Sequence, residues 1–162
     1  MPTGKQNGAI LLGVLVAVAV IALLMTRAEE RMSTQTQRAR EAQLLFAGDQ
    51  IRRAIQAYYN GGVAGGIYPK TLDDLVNDNR TLQTRHFLRR VYRDPMTNST
   101  EWGLVKGIDD RIMGVYSLSQ QTPLKKTGFP KDYQGFENKR SYKEWAFAVD
   151  SGAAPAAPPA SK

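Results

Sequence analysis

These 162 residues contain no cysteine and only one histidine, His86. The first absence excludes a disulfide framework, a thiolate metal site and a cysteine nucleophile. The second leaves neither a histidine-based triad nor a histidine metal cluster. Proline is missing between Pro2 and Pro69, so no ring breaks a helix across that stretch. Acidic residues are in the minority, 15 against 22 Lys and Arg, giving a formal charge of +7. Such an excess suits acidic partners (lipid headgroups, nucleic acid or an acidic protein face) and selects none of them. The length leaves room for one domain once an anchor and a tail are subtracted.

What is present is first an apolar run. Residues 9–25 carry no charged side chain, and at the helical rise they would extend roughly 25 Å, near the thin end of what crosses a hydrocarbon core. Met25-Thr26-Arg27-Ala28-Glu29 is a poor secretory cleavage site. Leu, Val and Ile lie all round the segment, which leaves no polar face for a buried core helix. The run therefore predicts a retained transmembrane helix. A literal count of Arg27, Arg31, Arg38 and Arg40 against Lys5 would put the following chain on the cytoplasmic side.

Residues 27–59 are rich in helix formers. Leu44, Ala47, Ile51, Ala54, Ile55 and Tyr58 recur at helical spacing, so one helix is expected from Ala9 to Tyr59. The glycines at 61, 62, 65 and 66 end it; a phosphate loop is disfavoured because no Lys-Ser/Thr directly follows the last glycine and no strand precedes them. Thr71-Leu72-Asp73-Asp74 predicts a short helix, residues 84–92 another turn or two with Phe87, Leu88 and Val91 inward, and Asp94-Pro95 a turn. Residues 101–105, 112–118 and 142–149 read as strands, the first two joined by a turn at Gly107-Ile108-Asp109-Asp110. In the last run Trp145, Phe147 and Val149 share the buried face, opposite Tyr142, Glu144, Ala146 and Ala148. Residues 120–141 read as a long loop, where function often sits. The expected organisation is a short leader over 1–8, a transmembrane half-helix over 9–26, its soluble half over 27–60, an α+β domain over 61–150 and a disordered Ala/Pro tail over 151–162.

A long N-terminal helix running into a loop, a short helix and antiparallel strands, with Tyr68-Pro69, Asp94-Pro95 and Tyr116-Ser117-Leu118 in that order, resembles the type IV pilin and type II secretion pseudopilin superfamily over residues 8–149. The resemblance implies an α+β, pilin-like fold: a helix with a membrane half and an amphipathic half, packed on a three- to four-stranded antiparallel sheet. It implies cleavage by a prepilin peptidase between Gly8 and Ala9, with methylation of the new N-terminus. Gly13 stands at the fifth mature position, where the family usually has a glutamate. The chain would then be a pseudopilin-like structural subunit of a type II secretion or pilus-related machine, in a bacterial inner membrane with its domain in the periplasm. Its partners would be membrane lipid, other pilin-like subunits, the secretion machinery and the peptidase. Major pseudopilins hold calcium after the Tyr-Ser-Leu strand; here Ser119-Gln120-Gln121-Thr122 offers no carboxylate, so neither metal nor cofactor is expected.

No catalytic constellation is visible, and the expectation is a protein without enzymatic activity. Asp73-Asp74 and Asp109-Asp110 are explained by capping and turn formation. The arginines at 85, 89, 90 and 93, with Arg80 and Tyr92, form a candidate basic interaction surface. Lys125, Lys126, Lys131, Lys139 and Arg140 form a second. The alternative function is accordingly an anchored, minor pilin-like binding module that contacts an anionic ligand such as DNA.

Overall fold

The computed structural model describes residues 4–61 and 66–149, with side chains left aside at 4–10, 22–32 and 108. One helix, α1, runs Gly4–Asn60. Three short strands, β1 (Gly103–Lys106), β2 (Ile112–Tyr116) and β3 (Ala146–Ala148), form an antiparallel sheet in the order β1-β2-β3. The chain divides into two compact units, residues 1–38 and 39–162, and each is taken by itself.

In the first unit, every described side chain of residues 11–21 is exposed. Among the described residues no helix is long and apolar enough to cross a membrane. The expected transmembrane half over 9–26 is therefore corrected, and with it the inner-membrane, single-pass placement and the periplasmic domain. Side chains at 9–10 and 22–26 fall outside the described set, as does the tail over 151–162.

In the second unit, α1 buries the expected stripe: Leu44, Ile51 and Ile55 are fully buried, and Ala47, Ala54 and Tyr58 nearly so. Gly48 lies on this face for a steric reason. A Cβ there would overlap the ring of Phe147 on β3, so glycine lets the helix meet the sheet. Gly114 on β2 is similarly crowded by Ala148, its register partner on β3. Val115, paired with Leu104 on one side and Phe147 on the other, is fully buried at the sheet centre. The β1–β2 hairpin turns through Asp109 and Asp110, whose φ values of 69° and 59° are tolerated by short polar side chains.

Several local expectations change. The short helix after Thr71 is a single 3-10 turn, Asp73–Leu75. Residues 84–92 form no helix. Asp78 and Arg85 pair as an isolated bridge, and the amides of Phe87 and Leu88 both donate to the Leu75 carbonyl, at 2.9 and 2.8 Å. These non-local bonds replace the helical ones, although Leu88 still points inward. The last strand shrinks to Ala146–Ala148. Ser141 and Glu144 form a capping box around a 3-10 turn, Tyr142–Glu144, and this turn buries Tyr142 instead of leaving it on the outer face.

Residues 120–141 are a packed cover rather than an open loop. They contain a 3-10 segment, Lys131–Phe136, and bury Phe129, Tyr133 and Phe136. Trp145 stacks parallel to Phe136 at 5.4 Å and takes Tyr142 and Phe129 edge-on at 5.2 and 5.3 Å. Such aromatic pairs contribute about 0.5–1.5 kcal/mol each beyond burial. They offset the buried indole N–H of Trp145, which has no hydrogen-bond partner among the described residues, a state that costs roughly 1–3 kcal/mol.

Candidate functional site

The family-like motifs sit inside the fold. Asp94 is fully buried. Its carboxylate accepts the Met96 amide at 2.9 Å, the Thr97 hydroxyl at 3.0 Å and the Ser117 hydroxyl at 2.7 Å. Asp94-Pro95 and Ser117 therefore meet in one hydrogen-bonded turn. Tyr68 and Pro69 join the other end of β2, where their carbonyls accept Arg111 Nη1 at 2.7 Å and the Ile112 amide at 2.9 Å. Tyr116 lies over Gly103, where a Cβ would strike its ring, and Leu118 is exposed. These residues tie segments to the sheet.

Gly8 and Ala9 fall within the helical backbone of α1, and Ala9's side chain is outside the described set. Gly13 is open, with nothing within 4 Å of where a Cβ would stand. Its neighbours are large and uncovered: Leu11, Leu12, Val14, Leu15, Val16, Val18, Val20 and Ile21 are between 48% and 66% exposed.

The basic set separates into two kinds. Arg80 is engaged by its own domain: it pairs with buried Asp78 at 2.8 Å, lies 3.4 Å above the Tyr58 ring and donates to the Tyr58 carbonyl. The hydrogen bond from Arg80 holds the Asp78 carboxyl below its ordinary range against the opposing effect of burial. Arg85 donates to the Gly61 carbonyl at 3.1 Å. Arg89, Arg90 and Arg93 are exposed, and among the described residues none has a carboxylate within ion-pair distance. Arg90 instead faces the Tyr92 ring at 5.9 Å. In the second basic stretch, Lys125 lies over Phe129 at 4.9 Å and Lys139 reaches Glu144 at 4.0 Å; Lys126, Lys131 and Arg140 are exposed.

His86 bonds the Val76 carbonyl through Nδ1. Asp74 accepts the amides of Lys70 and Thr71, both at 3.0 Å, and Asp110 pairs with Lys106 at 2.8 Å. Among the described residues no group of three or more potential ligands could hold a metal ion.

Three features were not foreseen. Glu41 on α1 is nearly buried, and its Oε1 accepts the amides of Leu124 at 2.6 Å and Lys125 at 3.1 Å and the Tyr142 hydroxyl at 2.9 Å. It precedes Leu44 by three residues and so continues the apolar stripe, a signal the sequence did carry. Asp49, Arg52, Tyr133 and Asp132 form a web between α1 and the cover. Burial, reinforced by the hydrogen bond to Asp49, pushes the Tyr133 phenol well above its ordinary range. Phe46 is an aromatic residue off the stripe; it is 57% exposed and edge-on to Tyr92 at 5.9 Å.

No family model, curated protein or solved structure matches this chain. The narrower attribution to a type II secretion pseudopilin therefore finds no support among known families and is dropped.

Proposed function

We propose that the chain is a pilin-like structural subunit without enzymatic activity, which assembles with copies of itself through the N-terminal part of α1. The observation that carries this is the exposure of the large apolar side chains over residues 11–21. They face every direction around the helix axis, and a helix that is apolar all round is stable in a folded protein only when something surrounds it. Isolated exposed leucines need no explanation, whereas a continuous apolar surface marks an association site. A second copy of the same helix supplies a matching surface, and heterologous repetition of that contact builds a filament.

The absence of native cysteine makes the test direct. A single Val16→Cys substitution in the full chain is expected to give a disulfide-linked dimer on mild oxidation. Asp109→Cys, in the β1–β2 turn, should stay monomeric under the same conditions. Equal and negligible cross-linking of the two variants, with a monomeric mass in solution, would overturn the reading.

A further inference from the structure

The assembly reading does not use Phe46, Tyr92 and Arg90, which touch in series, or the exposed Arg89 and Arg93 that flank them in sequence. Residues 79–93 contain five arginines, no lysine and no carboxylate. Arg80 and Arg85 are engaged by Asp78 and the Gly61 carbonyl, whereas exposed Arg89, Arg90 and Arg93 have no carboxylate within ion-pair distance among the described residues. The nearest carboxylate in sequence, that of Asp94, is buried and engaged by Met96, Thr97 and Ser117. The charge is therefore not neutralised from within. Beside it, α1 presents the exposed ring of Phe46, set edge-on against Tyr92, while Tyr92 in turn faces Arg90. Desolvating an exposed phenylalanine is favourable only against an apolar or planar partner.

We propose that this surface binds single-stranded nucleic acid, with a base stacked on Phe46 and phosphates held by Arg89, Arg90 and Arg93. Each part of the patch matches a part of that ligand. Guanidinium groups pair with phosphate oxygens in a planar fork, and an uncovered aromatic ring accepts the π-face of any base. A duplex offers the phosphates but keeps its bases stacked away from Phe46. An acidic protein offers carboxylates but no planar group for the ring. The surface lies entirely within the second unit and does not depend on the assembly reading, so either can fail without the other.

The test uses the full-length chain and a fluorescently labelled oligothymidylate, with binding read by anisotropy across a salt series. Three phosphate contacts on a single strand give a slope of log Kobs against log salt of about −2. Arg89→Gln/Arg90→Gln/Arg93→Gln should abolish that slope. Phe46→Ala should weaken binding roughly tenfold through lost stacking and leave the slope unchanged, while Phe46→Trp should retain affinity and so control for folding. The proposal is overturned by absence of salt-sensitive binding. It is equally overturned if a duplex of the same length binds as tightly with Phe46→Ala indifferent, or if polyglutamate competes as well as unlabelled oligothymidylate.

Discussion

Residues 11–21 and residues 44–58 belong to the same helix, and both are rich in aliphatic side chains. Along 44–58 the apolar positions recur every three or four residues, and the side chains at 44, 47, 51, 54, 55 and 58 are buried. Along 11–21 they occupy every face, and all are exposed. Periodicity, more than apolar content, distinguishes the helix face covered by its own domain from the exposed one. Gly48 and Gly13 show the same contrast at single positions. A Cβ at Gly48 would overlap Phe147, whereas one at Gly13 would meet nothing.

The most forceful way to break the comparison is to truncate one side chain in each stretch. Ile55→Ala removes a fully buried side chain and is expected to destabilise the domain by about 2–5 kcal/mol. Leu15→Ala, in the exposed run, should change it by no more than about 0.5 kcal/mol. Chemical denaturation of the full chain under dilute conditions, followed by the fluorescence of Trp102 and Trp145, reads both. Comparable losses would mean that residues 11–21 are already covered within a single chain.

The same distinction explains what could be read in advance. The helix, its buried stripe, the α+β class, the β1–β2 turn and the inward set Trp145, Phe147 and Val149 were legible, because each follows from local periodicity or turn chemistry. The helix over 71–76 stops after one 3-10 turn and that over 84–92 does not form, because backbone bonds to distant residues outcompete local propensity: the Leu75 carbonyl takes the amides of Phe87 and Leu88. Tyr142 is buried, against the strand alternation, because Ser141 and Glu144 cap a turn there. Of the candidate site, the exposed arginines were legible as charge. Nothing in the sequence could show that Arg80 is spent on Asp78 and Tyr58, or that Phe46 stands beside Tyr92. The transmembrane expectation over 9–26 is not met: among the described residues no helix is long and apolar enough to cross a membrane.

Glu41 sharpens the comparison, since it marks where the covered stripe begins. Three donors converge on one carboxylate oxygen that is almost without solvent. Glu41→Gln keeps the shape but removes the charge that strengthens these bonds, and is expected to cost roughly 1.5–3 kcal/mol. The loss should be local. Hydrogen exchange at the amides of Leu124 and Lys125 should accelerate more than at Val115 in the sheet centre. Uniform acceleration across both regions would mean that Glu41 supports the whole domain rather than the cover.

The smallest effect is expected at the other end of the stripe, where Arg80 lies over Tyr58 and pairs with Asp78. The Asp78 carboxyl is held below its ordinary range, first by the Arg80 hydrogen bond and further by the charges of Arg80 and Arg85. A depressed folded value means that the ionised form stabilises the fold. That contribution is complete above the unfolded value of about 3.9 and is lost as pH falls through the lower folded value. Asp78→Asn lacks it at every pH. The difference in Tm between the two proteins should therefore be constant from neutral pH to about 5 and close only as the solution becomes more acidic than about 4. A gap that stays open in acid would show that Asp78 contributes through the shape of its hydrogen bonds alone. A gap that closes near pH 6 would assign the titration to another group.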